Sequence, residues 1–124
     1  MAAKILIIED DPTILESLKA LLGAKGYVVS TAMDGADGVA AARREKPQLI
    51  LLDVILPKMA GFDVCQILKK DPATKAIKIV MTTALGRMGD VESAFASGAD
   101  DYLIKPFDSQ RLFSKVEKIL GTKS

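Results

Sequence analysis

Residues 48–53 read Gln-Leu-Ile-Leu-Leu-Asp, four large aliphatic side chains running directly into a carboxylate. So short a run, with no polar residue alternating into it, reads as a strand buried on both faces. Lys4 to Glu9 (KILIIE) repeats the pattern and also ends on acids, Glu9, Asp10 and Asp11. Between the two runs lie longer stretches of helical periodicity. Asp11 and Pro12 form a cap and a first-turn proline, after which Ile14, Leu15, Leu18, Leu21 and Leu22 share one face until Gly26 ends the helix. Tyr27 to Ala32 is a second, weaker strand, and Gly35 to Lys46 an alanine-rich helix stopped by Pro47.

The pattern continues beyond residue 53. Gly61 to Lys70 reads as a helix broken by Asp71-Pro72, and Ile77 to Thr82 as a fourth strand. Met88 to Ser97 is a short helix, Asp100 to Ile104 a fifth strand, and Asp108 to Leu120 a last helix with Leu112, Phe113, Val116, Ile119 and Leu120 on one face. Five strands alternating with five helices require crossover connections, hence an α/β fold with a mostly parallel sheet covered on both sides. No linker, repeat or low-complexity tract interrupts the pattern, so residues 1–124 read as one domain.

Composition narrows the chemistry. Lys and Arg number 17 against 16 Asp and Glu, a net charge of +1 that argues for neither nucleic acid nor an anionic membrane as partner. The chain has no histidine, which excludes His-dependent triads, His-ligated metals and a phosphohistidine carrier. Its single cysteine, Cys65, cannot form an intrachain disulfide and is expected to be a small buried apolar residue. With no leader pattern and no apolar run of membrane-spanning length, a reducing cytoplasm is the expected location.

In an open parallel sheet, ligands bind beyond the carboxyl ends of the strands. The first strand ends in Glu9 and Asp10, the third in Asp53, the fourth in Thr82 and Thr83, and the fifth in Lys105-Pro106. Taken singly, each has an ordinary explanation: a helix cap for an acid, a strand-end threonine, a solvated lysine. Together they bring carboxylates, a hydroxyl and a cation to one edge. Clustered carboxylates repel, and a divalent cation relieves the repulsion. An all-oxygen donor set without His or Cys selects a hard ion, Mg2+ before others. A lysine and a hydroxyl suit the remaining oxygens of a phosphate.

At this point the chain resembles the receiver domains of bacterial response regulators, the chemotaxis-regulator-like domains of two-component systems. Four stretches in order carry the resemblance: ILIIEDD, LILLDVILPKMAGFD, IVMTTA and GADDYLIKPF. It covers essentially the whole chain. It implies a doubly wound, flavodoxin-like sheet of order 2-1-3-4-5 flanked by five helices. It further implies that Asp53 is phosphorylated to 4-aspartylphosphate by a sensor histidine kinase or a phosphotransfer protein. Glu9 and Asp10 match the acidic pair that holds Mg2+, and Asp53 with the backbone carbonyl of Ile55 complete the protein ligands. Thr83, followed by the small Ala84, matches the hydroxyl that grips the phosphoryl group. Lys105 matches the phosphate-contacting lysine, Pro106 a cis proline, and Tyr102 the switch aromatic of an output face formed by the fourth helix, fifth strand and fifth helix. Met88, Asp90, Val91, Phe95, Ser109 and Gln110 fall on that face. Such a protein is a phosphoacceptor switch rather than an enzyme, though it assists its own phosphorylation and slow dephosphorylation. It is a monomer or a weak phosphorylation-dependent dimer, with a downstream protein target.

The chain departs from the family pattern at three places. Glu9 replaces the commoner aspartate, which suggests water-mediated contact with the metal, while Leu56 and Ala60 replace methionine and aspartate away from the phosphoryl chemistry. Ile55 and Leu85 are expected to flank the path of hydrolytic water, and both are bulky and apolar, so the phosphorylated state should be long-lived. Three rivals remain. A phosphatase with an aspartate nucleophile needs a second aspartate where Ile55 stands. A flavin module needs a Ser/Thr/Gly-rich loop where EDDPT stands. A degenerate receiver that only binds proteins would not need Asp10, Asp53, Thr83 and Lys105 together.

Overall fold

The computed structural model describes residues 2–84 and 88–121, with the backbone alone described at Met88. The elements are β1 (Lys4–Ile8), α1 (Pro12–Ala24), β2 (Val28–Ala32), α2 (Gly35–Glu45), β3 (Leu49–Asp53), α3 (Gly61–Lys70), β4 (Lys78–Ala84), α4 (Met88–Ala96), β5 (Asp101–Lys105) and α5 (Ser109–Leu120). All strand pairs are parallel and the order is β2-β1-β3-β4-β5, the doubly wound arrangement expected from the sequence.

The unbroken apolar runs follow from this order. β1, β3 and β4 are interior strands, and alternate side chains enter two separate cores. Ile5 and Ile7 of β1 and Leu49 and Leu51 of β3 pack with Leu15, Leu18 and Leu22 of α1 and Leu112 and Val116 of α5. Leu6, Ile8, Ile50 and Leu52 face the other way, onto Val39 and Ala42 of α2, Val64, Cys65 and Leu68 of α3, and Ala94 of α4. Cys65 is fully buried, and burial raises the pKa of its thiol, in keeping with a packing role. Each fully buried Leu or Ile contributes roughly 1.5–3 kcal/mol, so the two cores fix where the strand ends fall.

Helix ends are set locally. Asp11 accepts from the backbone N–H groups of Thr13 at 2.9 Å and Ile14 at 3.3 Å, ahead of Pro12 in the first turn of α1. Asp34 accepts from Asp37 N–H at 2.8 Å, and Asp108 from Arg111 N–H at 2.8 Å. Asp108 is therefore the cap of α5 and not its first residue. The largest boundary difference is β4, which runs to Ala84 instead of Thr82. Its extra residues have no partner on β3, whose pairing ends at Asp53 with Thr82, but Thr83 pairs with Ile104 and Ala84 with Lys105 of β5. No helix among the described residues is long and apolar enough to cross a membrane.

Candidate phosphoacceptor site

The carboxyl edge of the sheet opens into a cleft of about 300 Å³ whose walls include Glu9, Asp10, Asp53, Ile55, Thr83, Asp90 and Lys105. All but Asp90, which lies on α4, reach it from the end of a strand held by the cores or from the one or two residues beyond it. Glu9 is one residue past β1, yet its backbone N–H still donates to Ala32 O of β2 at 3.0 Å, so the side chain starts from a fixed point. It is only 3% exposed. Both of its oxygens are engaged: Oε1 accepts from Lys105 Nζ at 2.7 Å, and Oε2 from Asp11 N–H at 3.0 Å.

Asp53, the last residue of β3, is largely buried. Its Oδ2 lies 3.4 Å from Lys105 Nζ, and its Oδ1 accepts from Ile55 N–H at 3.4 Å. Burial is the largest influence on this carboxyl group. The nearby Lys105 charge opposes it and Glu9 reinforces it, and the pKa is raised to about 6. For Lys105, burial alone would lower the ammonium pKa. The hydrogen bond to Glu9 and the charges of Asp53 and Glu9 outweigh it, and the pKa is raised.

Oxygens of Glu9, Asp10 and Asp53 can all lie within 4.8 Å of one another. Ligands about 2.1 Å from an octahedral Mg2+ sit about 3 to 4.2 Å apart, so this spacing is on the scale of a single ion. Three carboxylates also face one ammonium, a charge excess that a divalent cation balances. The donor set thus fits Mg2+.

Thr83, and not Thr82, lines the cleft. Its hydroxyl donates to Asp90 Oδ2 at 2.9 Å. Asp90 was expected on the output face; instead it points from the first turn of α4 toward the site. Tyr102 on β5 packs edge-on to Phe95 of α4, centroids 5.8 Å apart, with Lys115 Nζ of α5 5.5 Å from its ring. The Lys105–Pro106 peptide bond is cis. Ile55 is 57% exposed at the cleft mouth. Leu85, the other residue expected beside the water path, lies outside the described residues, as does the Met88 side chain. A larger apolar groove of about 520 Å³ runs beside the cleft, between Ile14, Leu18 and Leu21 of α1 and Phe107; of the clustered polar groups it shares only Lys105.

Two site residues escaped the sequence reading. Asp90 could not be found, because nothing in the spacing of residues 83 and 90 signals a contact across a loop. Gly61 left a signal, a glycine opening the helix that follows the Asp53 loop. A Cβ there would collide with the backbone carbonyl oxygen of Asp53 and approach Val54 Cα to 2.9 Å. Gly61 N–H also donates to Val54 O at 2.8 Å, so α3 begins directly against the backbone that carries Asp53.

Known proteins resemble the chain over nearly its whole length. Residues 5–117 match the family model described as response regulator receiver domain. The DNA-binding dual master transcriptional regulator RpaA of Synechocystis is 47% identical over 117 residues, covering 94% of this chain and 48% of that protein. The chain therefore spans about half the length of that regulator. The receiver domain of sensor histidine kinase PA1611 from Pseudomonas aeruginosa, solved with a magnesium ion coordinated in its active-site cleft, is 30% identical with a TM-score of 0.90, covering 98% of this chain and 100% of that one. The chemotaxis response regulator CheY4 of Vibrio cholerae is 29% identical with a TM-score of 0.91, covering 97% of this chain and 100% of that one. With its fold, its acidic cleft and a family match over nearly its whole length, the chain belongs to the response regulator receiver domain family of two-component signalling.

Proposed function

We propose that Asp53 accepts a phosphoryl group from the phosphohistidine of a sensor histidine kinase or phosphotransfer protein, and that the resulting 4-aspartylphosphate switches the α4-β5-α5 face for a downstream protein. One observation carries this reading: the Asp53 carboxylate ends the central strand inside a cleft, 3.4 Å from Lys105 Nζ and grouped with Glu9 and Asp10. A nucleophile needs position and an ionised form, and a pKa of about 6 leaves Asp53 mostly ionised near neutrality.

Asp10, Asp53 and the Ile55 carbonyl would hold Mg2+, with Glu9 contributing through water, and the ion would supply charge neutralisation for the carboxylates and the incoming phosphoryl oxygens. An Asp53 oxygen attacks phosphorus in line. The new O–P bond forms as the donor's N–P bond breaks, and the imidazole leaves with the electron pair and takes up a proton. Lys105 balances the charge developing on the transferred group, and the Thr83 hydroxyl donates to one of its oxygens. The chain supplies position and fixed charge, and its later loss of phosphate is slow. A domain working in this way acts in the cytoplasm as a monomer or weak phosphorylation-dependent dimer, without touching nucleic acid itself.

The test is intact mass after incubation with Mg2+ and acetyl phosphate. Wild type should gain one phosphoryl group and Asp53→Ala none. An adduct persisting unchanged in the variant overturns the assignment. A purely protein-binding receiver would gain no adduct in either.

A further inference from the structure

We propose that Asp90 is a latch on the site: it holds the Thr83 hydroxyl in the unphosphorylated protein, and phosphorylation transmits to α4 by breaking that hold. This rests on the reading of Asp53 as phosphoacceptor and adds to it the residue that sets the resting state.

A threonine hydroxyl has one hydrogen to donate. Here it goes to Asp90 Oδ2 at 2.9 Å. The same hydrogen cannot also serve a phosphoryl oxygen on Asp53, so the two bonds exclude each other. Asp90 also lines the cleft that the phosphoryl group must enter. A phosphoryl group carrying roughly −1.5 to −2 charge therefore removes the donor from Asp90 and repels its carboxylate at once.

Both effects push on the first turn of α4, where Asp90 sits. The same helix carries Phe95, whose ring meets Tyr102 edge-on at 5.8 Å. Thus α4 has one handle in the site and another on the output face. When the Asp90 handle is released, the helix moves as a unit and Phe95 leaves Tyr102, a population shift between two packings of the same fold. Thr83 itself is anchored by β4 pairing with Ile104, so the yielding partner is α4.

The test uses wild type, Asp90→Ala, Asp90→Asn, Thr83→Val and the Asp90→Ala/Thr83→Val double variant. Two readouts are taken: amide hydrogen exchange of α4 without phosphodonor, and the rate of adduct formation with Mg2+ and acetyl phosphate. Asp90→Ala should speed α4 exchange and adduct formation about three- to tenfold, the scale of one charge-assisted hydrogen bond at a part-exposed site. Asp90→Asn keeps an acceptor oxygen without the charge, so it should hold α4 nearly as wild type does while still forming adduct faster. Thr83→Val should also loosen α4, and the double variant should loosen it no further than Asp90→Ala alone. Additive loosening in the double variant, or α4 exchange unchanged in Asp90→Ala, overturns the latch. Adduct on wild-type Asp53 with an unchanged rate in Asp90→Ala overturns the latch alone. Absence of adduct in wild type overturns the phosphoacceptor reading and the latch's regulatory meaning with it.

Discussion

Lys105 is bound more closely to Glu9 than to Asp53: its ammonium lies 2.7 Å from Glu9 Oε1 and 3.4 Å from Asp53 Oδ2. The longer side chain of glutamate, at a position where aspartate is commoner in the family, lets the buried carboxylate reach across the cleft. The cation is thereby shared, and Asp53 receives only part of its neutralisation. That division, on top of burial, accounts for an Asp53 carboxyl group raised to about 6.

A pH dependence of stability follows. The folded-state pKa of Asp53 lies above its ordinary value of 3.8, so the folded state binds the proton more tightly than the unfolded chain. Stability from this group is therefore full below pH 3.8 and falls as pH rises through about 6. Urea titrations between pH 4 and pH 7 should show this falling component in wild type and lose it in Asp53→Asn. Above about pH 6 the Asn variant should be the more stable protein. A wild-type pH profile superimposable on that of the variant would contradict the burial argument.

The two acids after β1 should contribute unequally to Mg2+ binding. Both oxygens of Glu9 already accept hydrogen bonds, from Lys105 and from Asp11 N–H, whereas Asp10 is exposed at the cleft. Asp10→Asn should therefore weaken Mg2+ affinity at least about tenfold, the scale of losing a direct ligand, and Glu9→Gln by less, since its share passes through water. Isothermal titration with MgCl2 reads this without any phosphodonor. Equal losses would mean that Glu9 gives up Lys105 and ligates directly.

Much of this was legible in the sequence because the deciding residues sit at the ends of strands that could be nothing else. β1 and β3 are apolar on both faces, so their ends, and with them Glu9, Asp10 and Asp53, could be placed to within a residue. Lys105 was placed at the end of β5, an edge strand whose side chains are mostly only partly buried. The end of β4 was less legible. Thr82 and Thr83 differ only in which side of the strand they face, and Thr83 gains its place through pairing with β5 beyond the point where β3 has stopped. The bond from Thr83 to Asp90 and the approach of Gly61 to the Asp53 backbone arise when a helix docks on a loop. The first leaves no periodicity or spacing to read, and the second only a glycine at the start of a helix.

Two glycine substitutions separate backbone approach from helix propensity. Gly61→Ala places a methyl against the Asp53 carbonyl oxygen and Val54 Cα, backbone atoms with no rotamer to escape through. It should cost roughly 1–3 kcal/mol and slow adduct formation by displacing Asp53. Gly23, inside α1, has nothing within 4 Å of an added Cβ. Gly23→Ala should stabilise by roughly 0.5–1 kcal/mol and leave adduct formation unchanged. Urea midpoints and intact-mass time courses on the same samples check both. A neutral Gly61→Ala would mean that α3 can retreat without moving Asp53.

We predict that Ile55 sets the lifetime of the phosphorylated state. Hydrolysis requires a water in line with phosphorus on the side away from the aspartyl oxygen, and the side chain two residues past Asp53 stands at the cleft mouth, 57% exposed. Being apolar, it offers such a water no hydrogen bond and takes up the space where one would be held. The Ile55 backbone N–H donates to Asp53 Oδ1, which keeps the residue beside the site whatever its side chain does. Ile55→Asn retains this backbone contact, removes bulk at the branch point and adds an acceptor and a donor that can position water. Decay of the purified phosphoprotein, followed by intact mass after removal of phosphodonor, should then quicken on the order of tenfold, about 1.4 kcal/mol from the barrier. Ile55→Val, which trims the side chain without polarity, should change the rate much less. Equal acceleration in both variants would assign the effect to access alone, and unchanged or slower decay in Ile55→Asn would remove Ile55 from the water path.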